Sequence, residues 1–188
     1  MNITLRKANA LQQSIQDAIK QIEITGKIDL NEFEDPAERL NAANEQLMAN
    51  DRQRVDLTNV LYEIRTLIGI KNAEVGINNR LSYAACIDKR LSQLAIFFSP
   101  SSLQDSLTVI TGKVQKLKDQ DNRGFGYGNN TVTTGILTTE QLETFKNEQL
   151  QLKKEKQQIN DGILELNVRS EIVLNDNMVE ILTANRLL

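Results

Sequence analysis

Asp35-Pro36-Ala37-Glu38-Arg39-Leu40 opens a run that reaches Phe98 without another proline, with apolar residues recurring every three and four positions. An aspartate able to accept from free helical N–H groups, a proline at the first helical position and a glutamate three residues after the cap together form a strong helix start. Within the run the apolar seam passes through Leu40, Ala43, Leu47, Leu57, Leu61, Ile64, Ile68 and Val75. The spacing predicts one helix from Pro36 to about Phe98, which at 1.5 Å per residue would extend about 90 Å. A helix of that length cannot be covered by its own chain throughout, so the expectation is packing against itself and against copies or partners. Past Gly69 and Gly76 the apolar phase moves to Ile77, Leu81, Ala84, Leu91 and Leu94. A phase shift beside two glycines predicts a bend or a change of packing partner between 69 and 76.

Shorter elements flank this run. Leu5, Ala8, Leu11, Ile15, Ala18 and Ile22 predict a first helix from about Asn2 to Ile24, ending near Gly26. After Ser99-Pro100, the stripe Leu103, Leu107, Ile110, Val114 and Leu117 predicts a third helix, in competition with a strand through the β-branched run at 107–111. Periodicity is lost from Gln120 to Leu137, where Gly124-Phe125-Gly126-Tyr127-Gly128 leads into Thr131-Val132-Thr133-Thr134. That stretch is expected to be a loop followed by a short strand. Thr138 or Thr139 caps a fourth helix through Leu142, Phe145, Leu152, Ile159, Ile163 and Leu166, expected to lie antiparallel to the long one. The alternation at 167–174 reads as a second strand paired with 131–137, and Asn175 or Asp176 caps a last helix. The fold class is therefore mainly α: a long antiparallel helical hairpin or coiled coil with a small two-stranded β element near the C-terminal end. It is expected to form one extended domain, with 1–119, 120–137 and 138–188 as its segments.

Composition narrows the chemistry. The 188 residues include no histidine, no tryptophan and one cysteine, which excludes intrachain disulfides, histidine-based zinc sites and Ser-His or Cys-His catalysis. Apolar residues make up 40% and aromatics only 4%, which suits narrow helix–helix seams more than a thick core. With 22 basic against 25 acidic residues the net charge is −3, giving no global attraction to nucleic acid or anionic membrane. The N-terminus has no apolar core of the signal-peptide kind and no stretch approaches 18 apolar residues. The expectation is a soluble chain of the producing cell's cytoplasm.

Candidate sites are weighed on the same terms. A phosphate loop at 124–128 would need a preceding strand and a following helix N-terminus, and nucleic-acid stacking through Arg123, Phe125 and Tyr127 would need basic surroundings; neither context is present. An acid–base site would need Asp121, Arg123 and Tyr127 to converge. The carboxylates from Asp29 to Glu38 lack the glycine-pinned spacing of a calcium loop, and capping accounts for Asp35 and Glu38. Cys86, beside Ala84 and Ala85, reads as a buried thiol. No catalytic residue, cofactor or metal ligand is assigned. Interaction residues are expected at Asn50, Arg54, Leu57, Leu61, Ile64 and Ile68 on the seam and at Phe125 and Tyr127 in the loop. The two polar intrusions would fix register wherever a partner satisfies them.

Three segments, Ala8-Asn-Ala-Leu-Gln-Gln-Ser-Ile15, Asp88-Lys-Arg-Leu-Ser-Gln-Leu94 and Leu150-Gln-Leu-Lys-Lys-Glu-Lys-Gln-Gln-Ile-Asn160, resemble a family of small helical proteins related to septicolysin. The tail from Asn167 to Leu188 departs from that family. In texture, rich in Asn, Gln and Thr with heptads joined by polar loops, the chain also looks like helical accessory proteins of tailed bacteriophage virions. That resemblance implies a non-enzymatic subunit of a tail, neck, baseplate or fibre attachment, found in the virion and partnered by itself and by other structural proteins. An intracellular coiled-coil adaptor or chaperone-like binding protein is the alternative.

Overall fold

Ile3, Leu5, Ala8, Leu11 and Ile15 all end in one core, yet only the last four lie on a helix. In the computed structural model, which describes residues 1–121 and 131–188, Asn2–Thr4 form a strand, β1, and helix α1 runs from Leu5 to Gln21. Thr4 closes the strand and opens the helix, its hydroxyl accepting from the Lys7 N–H at 3.2 Å. Helix α2 is Pro36–Glu74, capped by the Asp35 carboxylate, which accepts from the N–H groups of Ala37 at 2.8 Å and Glu38 at 3.1 Å. Helix α3 is Ile77–Ala95, α4 is Leu107–Asp121 and α5 is Thr139–Arg169. Strand β2 is Glu171–Val173 and α6 is Asp176–Ala184. The fold is mainly α, with six helices and one two-stranded antiparallel sheet among the described residues.

Where the spacing predicts one long helix with a bend or a change of packing partner, the run is two helices. Gly76 has φ +76°, a left-handed conformation that side-chain-bearing residues adopt only at a cost, so it ends α2 and leads directly into α3. Gly69 stays inside α2 and interrupts nothing. The strand pairing differs from expectation. Asn2, Ile3 and Thr4 pair with Val173, Ile172 and Glu171, and 131–137 takes no part in that sheet. Instead Leu137 bridges Leu103 in parallel, donating to the Ser102 carbonyl at 3.0 Å while its own carbonyl accepts from Gln104 at 2.9 Å. Gly135 permits that approach, because a Cβ there would overlap the backbone of Ser102 and Leu103. The β-branched run at 107–111 is helical, started by Ser106, whose hydroxyl accepts from the Val109 N–H at 3.4 Å.

Two compact units are present: Met1–Arg80 with Gly162–Leu188, and Leu81–Asp161. In the first, α1 and α2 pack on the sheet and α6 packs on α2, and Leu5, Ile15, Leu57, Ile64, Leu174, Met178 and Leu182 are almost fully buried. In the second, Ala84, Ile87, Leu94 and Leu137 are buried and the rings of Phe97 and Phe145 stack at 4.7 Å. Residue numbers rise along α3 and the turn that follows it as they fall along α5: Tyr83 meets Glu155, Arg90 meets Glu148 and, past the end of α3, Phe97 meets Phe145. The fourth predicted helix thus lies antiparallel to the second half of the predicted long one, beyond the Gly76 break. Cys86 is exposed, because it falls between the inward positions Ala84 and Ile87.

Candidate functional site

Side chains that share a helix face in sequence are divided by the fold into those already covered and those left open. Leu57, Leu61, Ile64 and Ile68, expected to face a partner, are 0%, 5%, 0% and 7% exposed inside the core of the first unit. The heptad pattern located them, but α1, β2 and α6 cover them from within the same chain. Asn50 has its satisfying partner inside the chain too: its amide donates to the Glu23 carbonyl at 2.8 Å and its oxygen accepts from Gln46 at 2.7 Å. This bond ties α2 to the segment that follows α1. Arg54 is half-buried one turn further on. Phe125 and Tyr127, with Arg123, lie outside the described residues.

What remains open is of two kinds. The first is apolar surface on helices. Helix α5 has no buried side chain in its whole length, and Leu150 and Leu164 are 57% and 64% exposed on its outer side. On α4, Leu107 is 76% exposed, and α2 buries nothing before Leu57. The second kind is a groove of 740 Å³ in the first unit, between α2 and the β2–α6 segment. Its apolar floor is Val60, Leu67, Met178 and Ile181; Tyr62 and Val173 stand at its edge. Two carboxylates, Asp56 and Glu63, the Thr66 hydroxyl and the amides of Asn59, Asn175 and Asn177 complete the lining, which includes no lysine or arginine. Sequence reading missed this groove because its acids flank the apolar seam at positions that normally only face water. The one legible signal was their spacing of a single heptad.

Local bonds fix the groove's walls. Asn175 caps α6, its oxygen accepting from the Met178 N–H at 2.8 Å, and its amide donates to Glu63 at 3.4 Å. The Arg65 guanidinium lies 5.0 Å from the Tyr62 ring centre, and its Nε donates to Gln12 of α1 at 3.3 Å, which turns this cation towards α1.

Electrostatics in the second unit are dominated by pairs between α3 and α5. Arg90 grips Glu148 with two bonds, at 2.7 and 2.9 Å, and the hydrogen bond holds the Glu148 carboxyl below its ordinary range. A single bond from Lys113 likewise holds the Asp105 carboxyl below its ordinary range. The Tyr83 hydroxyl donates to Glu155 at 2.8 Å, and that bond with the adjacent negative charge pushes the phenol up.

Among the described residues no group of three or more acidic or cysteine side chains is placed to hold a metal ion, and no helix is long and apolar enough to cross a membrane. Comparison with protein-family models, with curated proteins and with solved structures finds no match for this chain.

Proposed function

We propose that this chain is a non-enzymatic structural subunit that assembles with copies of itself and with other proteins through its uncovered helical faces. The observation that supports the reading is α5, 31 residues long and without a buried side chain. A helix that keeps a heptad stripe half-covered on one side and exposes leucines on the other gains stability when another helix packs on it. The tailed-phage virion is the setting proposed for it, on the resemblance in texture described above.

Sedimentation velocity between about 1 and 200 µM tests the reading. A weight-average mass that rises with concentration is the expected result. A monomer throughout would remove self-assembly and favour the second reading, an adaptor that holds a client segment; the acidic, apolar-floored groove supports that alternative.

A further inference from the structure

We infer that the groove between α2 and α6 receives the outer stripe of α5 from a second copy of this chain, with Lys146, Leu150 and Lys153 seated against Asp56, Glu63 and the apolar floor. This rests on the self-assembly reading above and names the surfaces that would carry it.

Charge is the first ground. Both charged residues that line the groove are acidic, and the cation beside it, Arg65, is engaged with Tyr62 and Gln12. On α5, Lys146 and Lys153 are exposed and form no ion pair among the described residues, whereas Lys156, on the inner side of the same helix, is paired with Asp88. Glu143 and Lys154 flank the stripe with opposite signs, so the two lysines set its local charge.

Spacing is the second ground. Asp56 and Glu63 are seven residues apart on α2, and Lys146 and Lys153 are seven apart on α5. Each pair therefore spans about 10.5 Å on one helix face, and the two helices meet charge to charge in either direction. Leu150 lies between the lysines, four residues after the first and three before the second. It is 57% exposed, and the apolar part of the groove's lining, with Leu67 one turn beyond Glu63, Ile181 and the exposed Val173, offers surface to cover it. Groove and stripe are different surfaces, both open in a single chain. The contact therefore either occurs twice about a two-fold axis in a dimer or runs head to tail, closing a ring or propagating.

Charge reversal tests the pairing in the full chain. Asp56→Lys/Glu63→Lys makes the groove basic, and Lys146→Glu/Lys153→Glu makes the stripe acidic. Circular dichroism confirms folding of each, and sedimentation velocity reads association. Each variant alone is expected to associate at least about tenfold more weakly than the wild type. An equimolar mixture is expected to recover association, because the basic groove of one then meets the acidic stripe of the other. Wild-type association that both reversals leave unchanged would overturn the groove–stripe contact and leave self-assembly standing, whereas a wild type that is monomeric throughout would overturn both. If the groove variant does not fold, the stripe variant decides alone: weakened association supports the contact and unchanged association overturns it.

Discussion

Arg186 adopts φ 56°, a left-handed conformation that costs a side-chain-bearing residue roughly 1 kcal/mol. It does so to end α6. The Leu187 N–H returns to the Leu182 carbonyl at 2.9 Å and the Arg186 N–H to that of Thr183 at 3.0 Å, the paired bonds of a Schellman stop. Leu187 packs on the core and so holds the turn in place. Glycine is the residue this position favours, so Arg186→Gly is expected to raise stability by about 0.5–1 kcal/mol, read as a higher urea midpoint with unchanged slope. Gly76 is the converse case, where the sequence already supplies the residue that the left-handed position needs.

Between elements, polar side chains as well as apolar ones set register. Along the α3–α5 pair the Arg90–Glu148 bond pair sits at one level, and the ring stack of Phe97, just past the end of α3, on Phe145 sits at the next. Glu148 titrates below its ordinary value in the folded chain, so its contribution is fully present above the unfolded carboxylate pKa of about 4.3 and is lost as pH falls through the lower, folded value. Acidification below about pH 4.3 should therefore lower the melting temperature. Glu148→Gln should melt below the wild type at pH 7 and show a shallower fall on acidification, measured by thermal circular dichroism from pH 7 to 3. Both side chains are part-exposed, so the difference at neutral pH is expected to be small. At the start of α5, Thr138 and Gln141 cap each other reciprocally, at 3.1 and 3.2 Å.

For the whole molecule, the division between covered and uncovered helical surface governs what a substitution does. Ile64 is fully buried among residues of α1, α2 and α6, so Ile64→Ala is expected to lower stability by about 2–5 kcal/mol in urea unfolding, and Ile64→Asp to prevent folding of the first unit. Leu150 is equally apolar and equally periodic, yet its loss should alter association and leave folding intact. Two aliphatic residues on comparable heptad stripes thus have different consequences, because one is covered by its own chain and the other is not.

Much of the architecture was legible in the chain alone, because it depends on local chemistry. Asp35-Pro36 marks a helix start through capping and a fixed φ, the phase shift beside Gly76 marks a break, and Asn175 marks the last cap; each acts within a few residues of itself. Strand pairing was not legible. Residues 2–4 and 171–173 lie at opposite ends of the sequence, and alternation tells which side of a strand is apolar without telling which strand lies beside it. The candidate surface followed the same division: periodicity found the apolar seam, but only the fold shows that Leu57, Leu61, Ile64 and Ile68 are already covered. The groove with Asp56 and Glu63 exists only because α6 and β2 return to α2 from the far end of the chain. Local preference and periodicity located the helical segments and several of their caps, since those depend on neighbours in sequence, although residues 2–4, expected as helix, form a strand and 167–169, expected as strand, are helical. Tertiary packing alone decided which faces remain open, because burial depends on residues brought together from distant parts of the chain.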